Sequence, residues 1–97
     1  MSSDDLDDFE AERELQLAHE YQDVVGMFRY AVETERRFYL ANTVDVRVLG
    51  EGVRPLIEVV LGDAWVWDMY RKSRLVPMVR VLTFKDVNVE ELPRHDL

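Results

Sequence analysis

The sequence predicts an α+β domain in which one long N-terminal helix, kinked or broken near Gly26, packs on a four-stranded antiparallel meander. Three observations carry that prediction. Apolar residues recur at helical spacing from Leu6 to Tyr39, and the period changes to two after Asn42. The apolar runs between residues 43 and 84 are then joined by short polar connections, which suit antiparallel neighbours. A chain of 97 residues without internal repeat reads as a single domain, 1–97. Within it, residues 1–14 form an acidic helix start or arm, 15–41 the helix, 43–84 the sheet and 85–97 a polar tail.

The helix opens at Ser3, an N-cap residue, with Asp4 and Asp5 placed to meet the free N–H groups of the first turn. Leu17, Tyr21, Val24, Phe28 and Ala31 continue one stripe, and Glu33 and Arg37 stand at i,i+4 in the favourable order. A straight helix over residues 4–40 would be about 55 Å long, far more than a small domain can cover. A break at Gly26 relieves this. Phe28, Tyr30, Val32 and Thr34 also alternate, so a strand over Met27–Thr34 competes with the helix.

In the sheet, Val44, Val46 and Val48 alternate with Asp45 and Arg47, and Gly50-Glu51-Gly52 is a turn permitting positive φ. Leu56–Leu61, Ala64–Tyr70 and Met78–Phe84 supply the other three runs. Alternation places Val44, Val59, Leu61, Trp65, Trp67 and Val81 on one apolar face. The other face mixes Asp45, Arg47, Glu58 and Arg80 with Leu56, Val60, Val66, Tyr70 and Leu82. The helix has one apolar stripe, so the second face leaves apolar surface in water unless the helix folds back over it.

The charge is uneven. Of the formal net charge of -8, residues 1–14 hold seven acids against Arg13 alone. Cations cluster instead beside aromatics, in Arg36-Arg37-Phe38-Tyr39 and in Trp65-Val66-Trp67-Asp68-Met69-Tyr70-Arg71-Lys72. Aromatics beside arginine are the anchors of protein interfaces. They also suit single-stranded nucleic acid, although an acidic chain lacks the long-range attraction that supplies non-specific affinity. Arg36, Arg37, Tyr39, Tyr70, Arg71 and Lys72 are therefore the candidate partner-binding residues.

Catalytic patterns are sparse. There is no cysteine, and neither His19 nor His95 neighbours a nucleophile. The phosphate-loop, dinucleotide and zinc-protease motifs are missing. Asp63, Asp68 and Asp86 are the carboxylates that would have to gather for a Mg²⁺ site. No catalytic residue, cofactor or metal is assigned. The expected function is a non-catalytic interaction module for a protein partner or a second copy. An RNA- or ribosome-associated factor is the alternative, and a metal-dependent enzyme the third reading. The acidic start is unlike a signal peptide, no run approaches the roughly 20 apolar residues of a membrane span, and the lack of cysteine fits a reducing compartment, so a cytoplasmic location without membrane contact is expected.

Three long strings carry a resemblance: Val32–Asn42 (VETERRFYLAN), Asp63–Arg71 (DAWVWDMYR) and Arg80–Leu92 (RVLTFKDVNVEEL). With Asp23-Val24-Val25 and the acidic start, they resemble a family of small actinobacterial proteins of unknown function. The resemblance implies an actinobacterial, cytoplasmic protein and brings no activity, ligand or site residue with it.

Overall fold

The computed structural model describes residues 3–50 and 52–93, with helical side chains from Asp8 onward. Helix α1 spans Ser3–Val24 and passes into a 3-10 turn, Val25–Met27. Ser3 is its first residue; the side chain that would test the cap lies outside the described set. The helix breaks at Gly26 as expected, but no helix resumes beyond it. Residues 30–49 instead form a hairpin of β1 (Tyr30–Glu33) and β2 (Phe38–Leu49). Both faces of this hairpin are covered: Val32, Tyr39 and Ala41 are buried in one cluster, Leu40 in another with Phe38 beside it. A segment apolar on both faces fits a period of 3.6 as well as a period of two, so the pattern alone favoured the wrong element.

The hairpin turn has neither Gly nor Pro. Thr34 builds it: its Oγ1 accepts the N–H groups of Arg36 (3.4 Å) and Arg37 (3.2 Å), and its hydroxyl donates to the Arg37 carbonyl (3.2 Å). The helical Glu33–Arg37 pair is thus replaced by a chain reversal. The run Leu56–Leu61 and the start of the run Ala64–Tyr70 are one strand, β3 (Leu56–Val66), while Trp67–Tyr70 leaves the sheet; β4 (Leu75–Thr83) and β5 (Asn88–Glu91) follow. The fold is α+β, and among the described residues the sheet is antiparallel throughout, with five strands rather than four, in the order β4-β3-β2-β1-β5. Part of the expected polar tail is therefore strand: Asn88–Glu91 pairs with Glu33–Tyr30 on the outer side of β1.

The long strands share an irregularity. Ala41, Ala64 and Val76 form one cross-strand row, and Val44, Leu61 and Val79 form another facing the same cluster. The two rows lie three residues apart in every strand, where alternation requires an even step. Between them Asp63 has φ of 48°, and neither Asn42 nor Pro77 forms a ladder pair with it. This matched break resets which side chains face which way. It puts Val66 with Val59 and Leu61, and sends Trp65 and Trp67 to the opposite side. The single apolar face expected from strict alternation is thereby divided between two clusters.

Chain length shows that the sheet also bends. Thr83 is level with Val48 at one end of β2, through Ile57, whereas Asn88 is level with Phe38 at the other, through Glu33. In a flat sheet these residues would be roughly 38 Å apart. The five links from Thr83 to Asn88 reach at most about 18 Å. The sheet must fold toward itself, which gives Val32, Val59, Leu61 and Val66 complete burial although α1 lies on the other side.

On that other side, Leu17 of α1 packs with Leu40, Trp65 and Phe28, and Tyr21 stands within 5.5–5.9 Å of the Phe38, Trp65 and Trp67 rings. Such tilted and edge-on contacts add to the burial of large rings. Glu20 locks the helix down. It accepts the Trp65 indole N–H (2.8 Å) and two donors of Arg74: Nε, shared between both carboxylate oxygens at 2.8 Å, and Nη2, which donates to Oε2. The Arg74 guanidinium, helped by the indole, holds the Glu20 carboxyl below its usual range against the opposing effect of burial. No helix among the described residues is long and apolar enough to cross a membrane.

Candidate docking site

The first described feature of the candidate site is a joint between two loops. The β1–β2 turn carries Arg36 and Arg37; the β3–β4 connection carries Tyr70, Arg71 and Lys72. Asp68 ties them together. Its Oδ1 accepts the Tyr70 N–H (3.0 Å), which shapes the connection, and its Oδ2 meets Arg37 Nη1 at 3.0 Å. Residues more than thirty positions apart in sequence thus converge at one end of the sheet.

Tyr39 lies beneath this end. It is 6% exposed and belongs to the folded-over core, so it is not the surface anchor expected from its place beside arginine. The cause is the strand parity of β2, which turns Tyr39 to the same side as Ala41. Burial pushes its hydroxyl above the usual tyrosine range, opposed by the Arg37 and Arg71 guanidinium groups.

Tyr70 is 65% exposed, and its hydroxyl donates to Glu10 Oε1 (3.3 Å), which brings it under the acidic half of α1. Lys72 is exposed at the surface of the β3–β4 connection. Four ion pairs form among the described residues: Arg37–Asp68, Arg47–Asp45, Arg74–Glu20 and Arg80–Glu58. Arg36 and Arg71 take part in none of them. No three His, Asp or Glu side chains among the described residues gather as metal ligands, Asp63, Asp68 and Asp86 included. His19 is an exposed helix residue, and His95 lies outside the described residues.

A cavity of about 440 Å³ opens beside the turn, with Arg36, Arg37 and Tyr39 on one side and Val79, Arg80 and Val81 of β4 on the other. Its lining is mixed: Val79, Val81 and Leu82 share it with the cations Arg36, Arg37 and Arg80 and with the acid Glu35. A second hollow, about 330 Å³, lies at the strand irregularity between Phe28, Leu75 and Pro77, with Asn42 and Asp63 as its polar members. None of the six sequence-predicted residues lines it.

Sequence reasoning placed Leu82 on the exposed apolar sheet face but named no residue of β4 among the six candidates. Met78 and Leu82, on its outward face, are 67% and 49% exposed. Phe84 is also exposed but has Arg54 over its ring at 5.6 Å. The predicted meander ends on the run Met78–Phe84 and so places it at a sheet edge, where β4 lies.

The molecule also has more surface than its mass requires. Its accessible area is 7389 Å², where a compact monomer of 11.5 kDa exposes about 5,800 Å². The radius of gyration is 15.9 Å, against about 12.5 Å for a compact domain of this length.

The whole chain, residues 1–97, matches a family described as protein of unknown function, DUF2469. It is similar to the uncharacterized protein Mb2925c of Mycobacterium bovis, at 55% identity over 97 residues, covering 100% of this chain and 96% of the relative. The uncharacterized protein Rv2901c of Mycobacterium tuberculosis is similar to the same degree and over the same extent. No solved structure matches. With the match running from the first residue to the last, the chain belongs to the DUF2469 family.

Proposed function

We propose that this protein is a non-catalytic interaction module that docks on a protein partner through its cationic end and the adjoining β4 surface. The observation that carries the reading is the excess of exposed surface, coupled to exposed Met78 and Leu82 beside a cavity that Arg36, Arg37 and Arg80 help to line. Apolar surface left in water beside a polar rim is characteristic of contact sites. Arg36 and Arg71 form no ion pair among the described residues. An acidic partner surface fits their charge.

The position of Tyr39 supports a protein partner over RNA. Base stacking needs an exposed ring beside the cations, and Tyr39 is inside the core; Tyr70 is exposed, but its hydroxyl meets the Glu10 carboxylate, a charge that repels a phosphate backbone.

The test replaces Arg36 and Arg71 together, as R36E/R71E, because neither supports an ion pair of the fold. Cross-linking in cells should recover a protein partner with the unaltered chain and about tenfold less of it with the variant. Circular dichroism and Tm should stay unchanged. Equal recovery with both chains would refute the docking site, and recovery of RNA instead of protein would refute the partner class.

A further inference from the structure

β4 is an edge strand, and among the described residues nothing pairs with its outer side. Edge strands normally carry proline, charge or a bulge that prevents further pairing. Here Pro77 blunts only the beginning. From Met78 to Thr83 there is one charge, Arg80, and it is drawn to Glu58 on the neighbouring strand, with Nε 2.7 Å from the carboxylate. The remaining outward side chains, Met78 and Leu82, are exposed, while Val79 and Val81 face the cavity beside Arg36 and Arg37.

We infer that β4 accepts an extended acidic segment of a partner protein as a sixth strand of the sheet. This rests on the docking function proposed above and names its mode. Charge selects the occupant. A second copy of β4 paired antiparallel about Arg80 would set the two Arg80 side chains against each other, and like charges across strands are unfavourable. A strand with carboxylates at the corresponding positions meets opposite charge there instead.

The side-chain order follows from the pleat. Opposite Met78, Arg80 and Leu82, the added strand would place an apolar residue, an acid and an apolar residue on one face. Opposite Val79 and Val81 it would place two β-branched residues on the other. The recognised core is therefore Leu-Val-Glu-Val-Leu or its equivalent, flanked by acids that approach Lys85 and the basic connector. The core reads the same in both directions, so main-chain hydrogen bonds and flanks set the polarity.

The test uses the full chain and three blocked peptides. The first is Glu-Leu-Val-Glu-Val-Leu-Glu, the second has lysine for each glutamate, and the third is the first with alternate backbone nitrogens methylated. Fluorescence anisotropy should show the glutamate peptide binding about tenfold tighter than the lysine peptide, with the margin shrinking in salt. The methylated peptide should not bind, and amide exchange should slow across residues 78–83. Reversal of the charge preference in Arg80→Glu would support the pairing of that residue with the central acid. Equal binding of all three peptides, or protection confined to another element, would overturn the inference. Loss of the cellular partner in R36E/R71E without β4 protection in the native complex would overturn strand addition alone and leave the docking function standing.

Discussion

Replacing Glu20 by Gln separates the charge of the helix latch from its shape. Gln keeps an oxygen that can accept the Trp65 indole N–H but removes the carboxylate that Arg74 grips with both oxygens. A hydrogen bond to a charged group contributes about 1.5–3 kcal/mol. The Arg74 and Glu20 side chains are 23% and 31% exposed, so solvent screening places this pair at the lower end, about 1.5 kcal/mol. For a domain of this size, that lowers Tm by about 6–12 °C. Because the folded-state carboxyl titrates below its ordinary value of 4.5, the stabilisation is complete above that value and disappears as pH falls through the folded-state pKa. Thermal melts followed by circular dichroism and tryptophan emission should therefore show a wide gap between E20Q and the unaltered chain at pH 7. The gap should close on acidification below 4.5. A gap under about 2 °C at pH 7, or one that stays constant into acid, would refute the latch.

Two further substitutions test the folded-over sheet and its irregular row. Leu61→Ala should cost about 2–5 kcal/mol because its side chain is fully enclosed by the sheet itself, whereas Leu82→Ala should change denaturant stability by less than about 1 kcal/mol. Similar losses at both positions would contradict the fold-over. Asp63→Val should destabilise by roughly 1–2 kcal/mol, since a β-branched residue is strained at φ of 48°, while Asp63→Gly should be nearly neutral. Chemical denaturation of the pair would expose the opposite order if the row were ordinary strand.

How much of this was legible in the sequence depends on the element. The helix to Val24 and its break at Gly26 followed from spacing and backbone freedom, and the strands around Val46, Val59 and Val81 followed from β-branched alternation. The β1–β2 hairpin did not, because its turn rests on the Thr34 side chain and lacks the glycine or proline that marks turns. Gly62-Asp63 signalled a strand end but instead lies within β3, where Asp63 tolerates the left-handed conformation that redirects the alternation. β5 is polar and short, and only pairing with β1 makes it a strand. At the site, Arg37 and Arg71 were found from their neighbours, but their convergence through Asp68 and the burial of Tyr39 required the register. The edge position of β4 followed from the meander order, in which it is the last of the runs between residues 43 and 84.

The most direct measurement of the docking account places a photo-activated cross-linking residue at Leu82 in one chain and at exposed His19 on the outer helix face in another, with both expressed in cells. The account predicts a discrete protein adduct at Leu82, lost in R36E/R71E, with none at His19. Adducts of equal yield at both positions, or none at Leu82, would contradict it.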